Sequence, residues 1–211
     1  MQSATGKRSS NKLILIPGFM SPAWMLYPMQ QYLKRDFDTV VRWDYPRIFS
    51  DLDIVTDSLA KLLDSSNCKS SGESNSERNG ERVSIVAHSF GDWITRSALQ
   101  KTRHQNFGAL VSVCPVTTAV PIVRHTRSLS AKLTCELAVM ASADRAEVSI
   151  PDHIHIKRSI VWVKGEILVQ EKSHDPRVAR QRHVWAFHNS VLFQRNGWQV
   201  IREELQANLF Q

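Results

Sequence analysis

The chain reads as an α/β protein: a mostly parallel sheet of about six strands with helices on both faces. Three observations predict this. Short apolar runs rich in β-branched residues recur at Leu13–Ile16, Val83–Val86, Ala109–Cys114 and Ser159–Val163. They are nearly continuous rather than alternating, as in strands buried on both sides. Between them lie stretches of helical spacing, long enough to carry the chain back to the next parallel strand. Finally, three polar residues, Ser89, Glu166 and His188, fall at predicted strand ends, the edge at which working groups of such sheets gather.

Taken in order, residues 1–11 are polar with little to bury, and read as a disordered tail ahead of one domain over 12–211. Leu13–Ile16 is the first strand, closed by Pro17-Gly18-Phe19-Met20. Ser21-Pro22 supplies a cap and a proline at the first helical position, so Ala23–Lys34 is expected to be helical. Asp38–Trp43 is the second strand. Asp51–Leu63 places Leu52, Val55, Leu59, Leu62 and Leu63 on one helical face. Residues 64–81, dominated by Ser, Asn, Gly and charge, form a flexible surface loop. Val83–Val86 leads through a turn into a helix over Asp92–Lys101. After the strand Ala109–Cys114, residues 116–150, with a helical stretch near Ala131–Ala143, are expected to form a small cap over the carboxyl edge. Ser159–Val163 is the next strand. Arg177–His183, the densest basic stretch, reads as a solvated connecting helix or loop, His183–Phe187 as the last strand, and Val191–Gln206 as a closing helix broken near Asn196-Gly197.

Composition narrows the class. A chain of 211 residues with 42% hydrophobic content suits one soluble domain with a sizeable core. No apolar run approaches a bilayer span and the amino terminus lacks the apolar centre of a signal peptide, so a cytoplasmic protein is expected. Cys68, Cys114 and Cys135 are odd in number and without metal-ligand spacing, which favours free thiols over a disulfide or a metal site. The net charge of +7 is scattered along the chain and matches no nucleic-acid module. Six tryptophans are equally scattered, so neither a nucleic-acid partner nor stable membrane anchoring is expected; the oligomeric state is left open.

The most informative stretch is Val83 to Gly91, where a strand runs into Ala87-His88-Ser89-Phe90-Gly91. A serine hydroxyl becomes a useful nucleophile when it projects from a sharp turn beside a base and near backbone N–H groups able to receive a developing oxyanion. Such a turn crowds the residues two before and two after the serine, which must be small; they are Ala87 and Gly91. The helix that follows aims its positive end at the same place.

With Leu13-Ile14-Leu15-Ile16-Pro17-Gly18-Phe19-Met20, the Ala-His-Ser-Phe-Gly turn, Gly165-Glu166-Ile167-Leu168-Val169 after a late strand and His188-Asn189-Ser190 after the last, the chain resembles the α/β-hydrolase superfamily from about Leu13 onward. It looks most like its compact lipase and esterase members. Two departures are visible: Ala87 stands where Gly is usual, and Pro17 where a His often precedes the Gly. The resemblance implies Ser89 as nucleophile, His188 as general base, Glu166 as the acid orienting it, and the backbone N–H groups of Phe19 and Phe90 as oxyanion hole. Asp144 and Asp175 are alternatives for the acid. Phe19, Met20, Trp24, Phe90, Trp93 and residues 115–121 could line an acyl pocket, or simply pack. His88 is a packing or hydrogen-bonding neighbour rather than the base. The expected activity is hydrolysis of a small carboxylic ester or thioester through an acyl-enzyme, with no cofactor or metal. The alternatives are acyl transfer or amide hydrolysis at the same residues, and a non-catalytic binding protein that keeps the fold.

Overall fold

Leu13, Ile14, Leu15 and Ile16 are each fully buried, and so are Val83, Ile85 and Ala87 beside them, as continuous apolar runs require of strands with helices on both sides. The computed structural model describes residues 10–46, 51–66, 81–121, 123, 135–169, 171 and 175–209. Six strands, β1 (Asn11–Ile16), β2 (Thr39–Arg42), β3 (Arg82–His88), β4 (Phe107–Val113), β5 (Lys157–Gly165) and β6 (Val178–Phe187), form one sheet in the order β2-β1-β3-β4-β5-β6, every pair parallel. The order reverses direction after β2. With right-handed crossovers, that reversal sends α1 (Tyr27–Leu33) to one face and α2 (Leu52–Ser65) and α3 (Phe90–Leu99) to the other. The closing helix, α6 (Arg195–Leu209), packs on β4, β5, β6 and α1.

Several elements differ from the sequence reading. Asn11 already belongs to β1 and its N–H donates to Asp38 at 2.8 Å, so residue 11 is strand rather than tail; residues 1–9 lie outside the described ones. The first helix splits into a 3-10 turn, Ala23–Leu26, and α1. Pro28, at the start of α1, cannot donate to the preceding turn, and Ser21 makes no capping bond. The α2 helix is capped as its sequence suggests, Asp51 accepting from the Asp53 N–H at 2.8 Å, and it runs on to Ser65. Most of the expected loop, 67–80, lies outside the described residues.

The expected cap is described only in part, 122 and 124–134 lying outside. Its later portion, α4 (Cys135–Met140), α5 (Ala143–Ala146) and residues 147–150, descends along α3. Trp93 and Arg96 of that helix, and Gln100 just past its end, donate to the carbonyls of Arg145, Val148 and Ser149. The largest correction is at 178–183. This basic stretch is the first half of β6, an edge strand in which Arg180 and Arg182 reach Glu204 of α6, at 3.2 and 3.4 Å. Period-2 alternation was hidden because two of its inward positions, Arg180 and Arg182, are arginines whose heads find carboxylates. The outward positions include Trp185 and Phe187, 73% and 69% exposed. The closing helix is not broken at Gly197; the interruption falls earlier, at Gln194, after a 3-10 turn over Ser190–Phe193.

Between α3 and the sheet lies a buried ionic network that the sequence reading missed. Asp92 in the first turn of α3 accepts from Arg96 at 2.8 Å, from Arg158 of β5 at 2.9 Å and from Ser112 of β4 at 2.5 Å. Arg158 also reaches Asp175, ahead of β6, at 2.7 Å. Burial alone would raise the Asp92 carboxyl, but the two guanidinium charges outweigh it and keep it low. Two cations and two carboxylates balance, so charge that would be costly alone is compensated. The network fixes α3 against β4, β5 and the approach to β6.

Candidate active site

Ser89 occupies the single-residue turn between β3 and α3, with φ 52° and ψ −123°. A side chain resists this left-handed backbone, at a cost of about 1–3 kcal/mol. The turn is held nonetheless, because the Ser89 N–H donates to Val113 O at 2.8 Å and the elements on either side are buried. Its neighbours explain the small residues. A Cβ on Gly91 would lie 2.4 Å from the Pro17 carbonyl oxygen, and one on Gly18 would lie 2.8 Å from the Ser89 Cβ. Among the described residues three non-glycines have positive φ, Met20, Ser89 and Cys114, at the carboxyl ends of β1, β3 and β4. Strain is thus concentrated where the three candidate polar groups converge.

Those groups form a chain of hydrogen bonds. The Ser89 Oγ and His188 Nε2 are 2.9 Å apart, and His188 Nδ1 and Glu166 Oε2 are 2.7 Å apart. Glu166 Oε1 accepts from the N–H groups of Leu168 and Val169, at 2.7 and 3.2 Å. Burial would raise this carboxyl, but the His188 bond and charge, with the two backbone donors, prevail and hold its pKa at about 2. A carboxylate can only accept, so Nδ1 carries the proton and Nε2 is left to accept from the serine. The Ser, Glu and His follow β3, β5 and β6 respectively.

The other candidates for the acid sit elsewhere. Asp175 is engaged by Arg158 and caps the turn before β6, and Asp144 is an exposed residue in the first turn of α5. Phe90 follows Ser89 directly, and Gly18, the residue before Phe19, lies against the Ser89 side chain; the N–H groups of Phe19 and Phe90 make no loop or turn bond to a backbone carbonyl among the described residues. Of the suggested pocket residues, Phe90 is fully buried and stacks on Trp93 with ring centres 5.1 Å apart, whereas Met20 and Trp24 are exposed. Phe90 therefore packs.

Two residues at the site carry contacts that spacing alone did not reveal. His88 is fully enclosed, and its Nε2 lies 2.9 Å from the His188 carbonyl oxygen, which makes it the donor there. Burial, reinforced by the neighbouring His188, lowers its pKa to about 3, so it is neutral. Cys114, buried at the end of β4, has its sulfur within 4.8 Å of ligand atoms of Glu166 and His188. Burial and the Glu166 charge push its thiol well up, so it stays protonated. These three could in principle hold a soft cation, but a protonated thiol and an imidazole committed to Glu166 suit hydrogen bonding better. Cys114 and Cys135 are both free; Cys68 lies outside the described residues.

No protein-family model and no curated protein sequence matches the chain. Its architecture does have counterparts among solved structures. A member of the alpha/beta superfamily from Xanthomonas campestris aligns over 93% of this chain and 99% of its own, with TM-score 0.55 and 16% identity. A thermophilic esterase from Thermogutta terrifontis aligns over 98% and 97%, with TM-score 0.62 and 12% identity. The type II thioesterase BorB of the borrelidin biosynthetic cluster aligns over 98% and 95%, with TM-score 0.60 and 17% identity. The chain therefore has the fold of the α/β-hydrolase superfamily, as its motifs suggested. No helix among the described residues is long and apolar enough to cross a membrane.

Proposed function

We propose that this protein is a serine hydrolase that cleaves carboxylic esters or thioesters of modest size. The observation that carries the reading is the Ser89–His188–Glu166 relay, at 2.9 and 2.7 Å, ending on a serine held in a strained turn. In this reading Ser89 Oγ attacks the substrate carbonyl carbon while His188 Nε2 takes its proton. The resulting oxyanion is met by the N–H groups of Phe19 and Phe90, and Glu166 stabilises the imidazolium. The C–O or C–S bond then breaks, His188 gives its proton to the departing alcohol or thiol, and an acyl-serine remains. Water, deprotonated by His188, releases the acid and restores Ser89. The free thiols of Cys114 and Cys135 accord with a cytoplasmic setting.

Acyl transfer to an alcohol or amine, and amide cleavage, would use the same steps with another acceptor or leaving group. The deciding experiment is hydrolysis of p-nitrophenyl esters of increasing acyl length by wild type and Ser89→Ala, with fluorophosphonate labelling of both. Activity and labelling should disappear together in the variant. Product analysis with competing alcohols and amines then separates hydrolysis from transfer. A wild type that neither labels nor hydrolyses would leave a binding protein as the better reading.

A further inference from the structure

We infer that His88 is a positioning residue, which fixes the backbone of His188 over Ser89 by donating its Nε2–H to the His188 carbonyl oxygen at 2.9 Å. The inference rests on the reading of His188 as the base and extends it to a residue that touches no substrate.

The need for such a tie follows from the topology. The nucleophile leaves β3, in the middle of the sheet, and the base leaves β6, at its edge, with β4 and β5 between them. At about 4.8 Å per strand the two strand axes are about 14 Å apart. The turn carrying His188 must therefore lean back across the carboxyl edge for Nε2 to come within 2.9 Å of Ser89 Oγ. Next to it, Phe187 is registered against Gly165 of the adjoining strand and its N–H donates locally to Ser190 Oγ at 2.8 Å, so neither tie reaches toward Ser89. The His88 bond instead spans 100 residues and joins the base's own backbone to the residue adjoining the nucleophile.

The rest of His88 argues for that one bond as its purpose. A carbonyl oxygen can only accept, so Nε2 bears the hydrogen and Nδ1 is a bare lone pair, enclosed and without a partner. An apolar side chain would fill the space without burying that lone pair. The imidazole is held tightly, since a Cβ on Gly18 would lie 2.9 Å from its Nδ1. The two rings are tilted against each other with centres 4.9 Å apart, so His88 also limits how far the His188 ring can swing.

The test compares His88→Leu, His88→Met and His88→Gln, whose amide nitrogen can reach the position of the imidazole Nε2. Active sites are titrated by fluorophosphonate stoichiometry, so kcat is read per competent site. For Leu and Met, kcat should fall about 10- to 100-fold with little change in KM, as expected for a base displaced by a fraction of an ångström. Gln should recover most of the loss. A loss seen only as fewer labelled sites, or a Gln variant as impaired as Leu, would overturn the inference. A second readout does not need turnover: the low-field proton NMR signal of His188 Nδ1–H against Glu166 should persist in the Gln variant and weaken or vanish in Leu and Met. If the wild type proves inert, the hydrolase reading fails while this signal still decides the positioning; an unchanged signal in Leu and Met would refute it.

Discussion

Replacing Glu166 by Gln should nearly abolish turnover while leaving the protein folded, and the site geometry says why. Oε1 is claimed by the N–H groups of Leu168 and Val169, at 2.7 and 3.2 Å, and those donors still require an acceptor. The amide oxygen must stay there, which turns the amide NH2 toward His188 Nδ1. The imidazole then faces a donor where it had a carboxylate 2.7 Å away. Keeping its working tautomer sets N–H against N–H; switching leaves Nε2 protonated and unable to accept from Ser89. A charge-assisted hydrogen bond contributes about 1.5–3 kcal/mol, and a carboxylate beside an imidazolium about 4 kcal/mol at an effective dielectric near 20. These overlap, so about 4–6 kcal/mol of barrier, or a 10³- to 10⁴-fold fall in kcat, is expected. Ester hydrolysis with a subsaturating and a saturating substrate separates kcat from KM, and circular dichroism melting checks the fold. Asp144→Asn should remain within about threefold of wild type. A Glu166→Gln enzyme within tenfold of wild type, or an Asp144→Asn enzyme equally impaired, would refute the assignment of the acid.

Three further outcomes follow from the described contacts. The folded pKa of His88, about 3, lies below its ordinary 6.5, so the unfolded chain binds the extra proton. Stability from this residue is complete above pH 6.5 and is lost as pH falls toward 3; denaturant titrations across that window should show a proton-linked decline that His88→Gln flattens. Asp92→Asn strips two buried guanidiniums of their shared carboxylate and should destabilise by about 3–5 kcal/mol, a melting drop of about 6–20 °C for a domain this size; a drop below 2 °C would mean the network is neutral. In Gly18→Ala, a methyl 2.8 Å from the Ser89 Cβ must push the Phe19 segment away. If Phe19 supplies an oxyanion donor as proposed, kcat should fall about 10²-fold with KM little changed, whereas a raised KM at unchanged kcat would place the disturbance in binding.

The sheet and the three polar residues were legible because each rests on local rules. Continuous β-branched runs mark strands buried on both faces, and a serine flanked by small residues at a strand-to-helix turn marks a candidate nucleophile. Glu166 and His188 were found by their place after strands, and the structure brings both to hydrogen-bonding distance. Contacts between distant segments were not legible. Nothing near Asp92 in sequence announces Arg158 or Asp175, and nothing near His88 announces a bond to residue 188. The strand over 178–183 was missed because edge strands may present arginines inward when a helix supplies carboxylates, and Glu204 lies more than twenty residues away. Pro28 was legible but unused: a proline at that point predicts the split of the first helix.

The placement of His188 beyond an edge strand divides the molecule into parts of unequal robustness. Ser89 belongs to the central strands, with neighbours on every side, whereas His188 hangs from β6, which has a strand on one side only and alternate residues open to water. Fraying of that border would separate the two without melting the centre. Under the proposed hydrolase reading, loss of competence is then a local event, and activity is expected to fade at a temperature below the one at which the molecule comes apart.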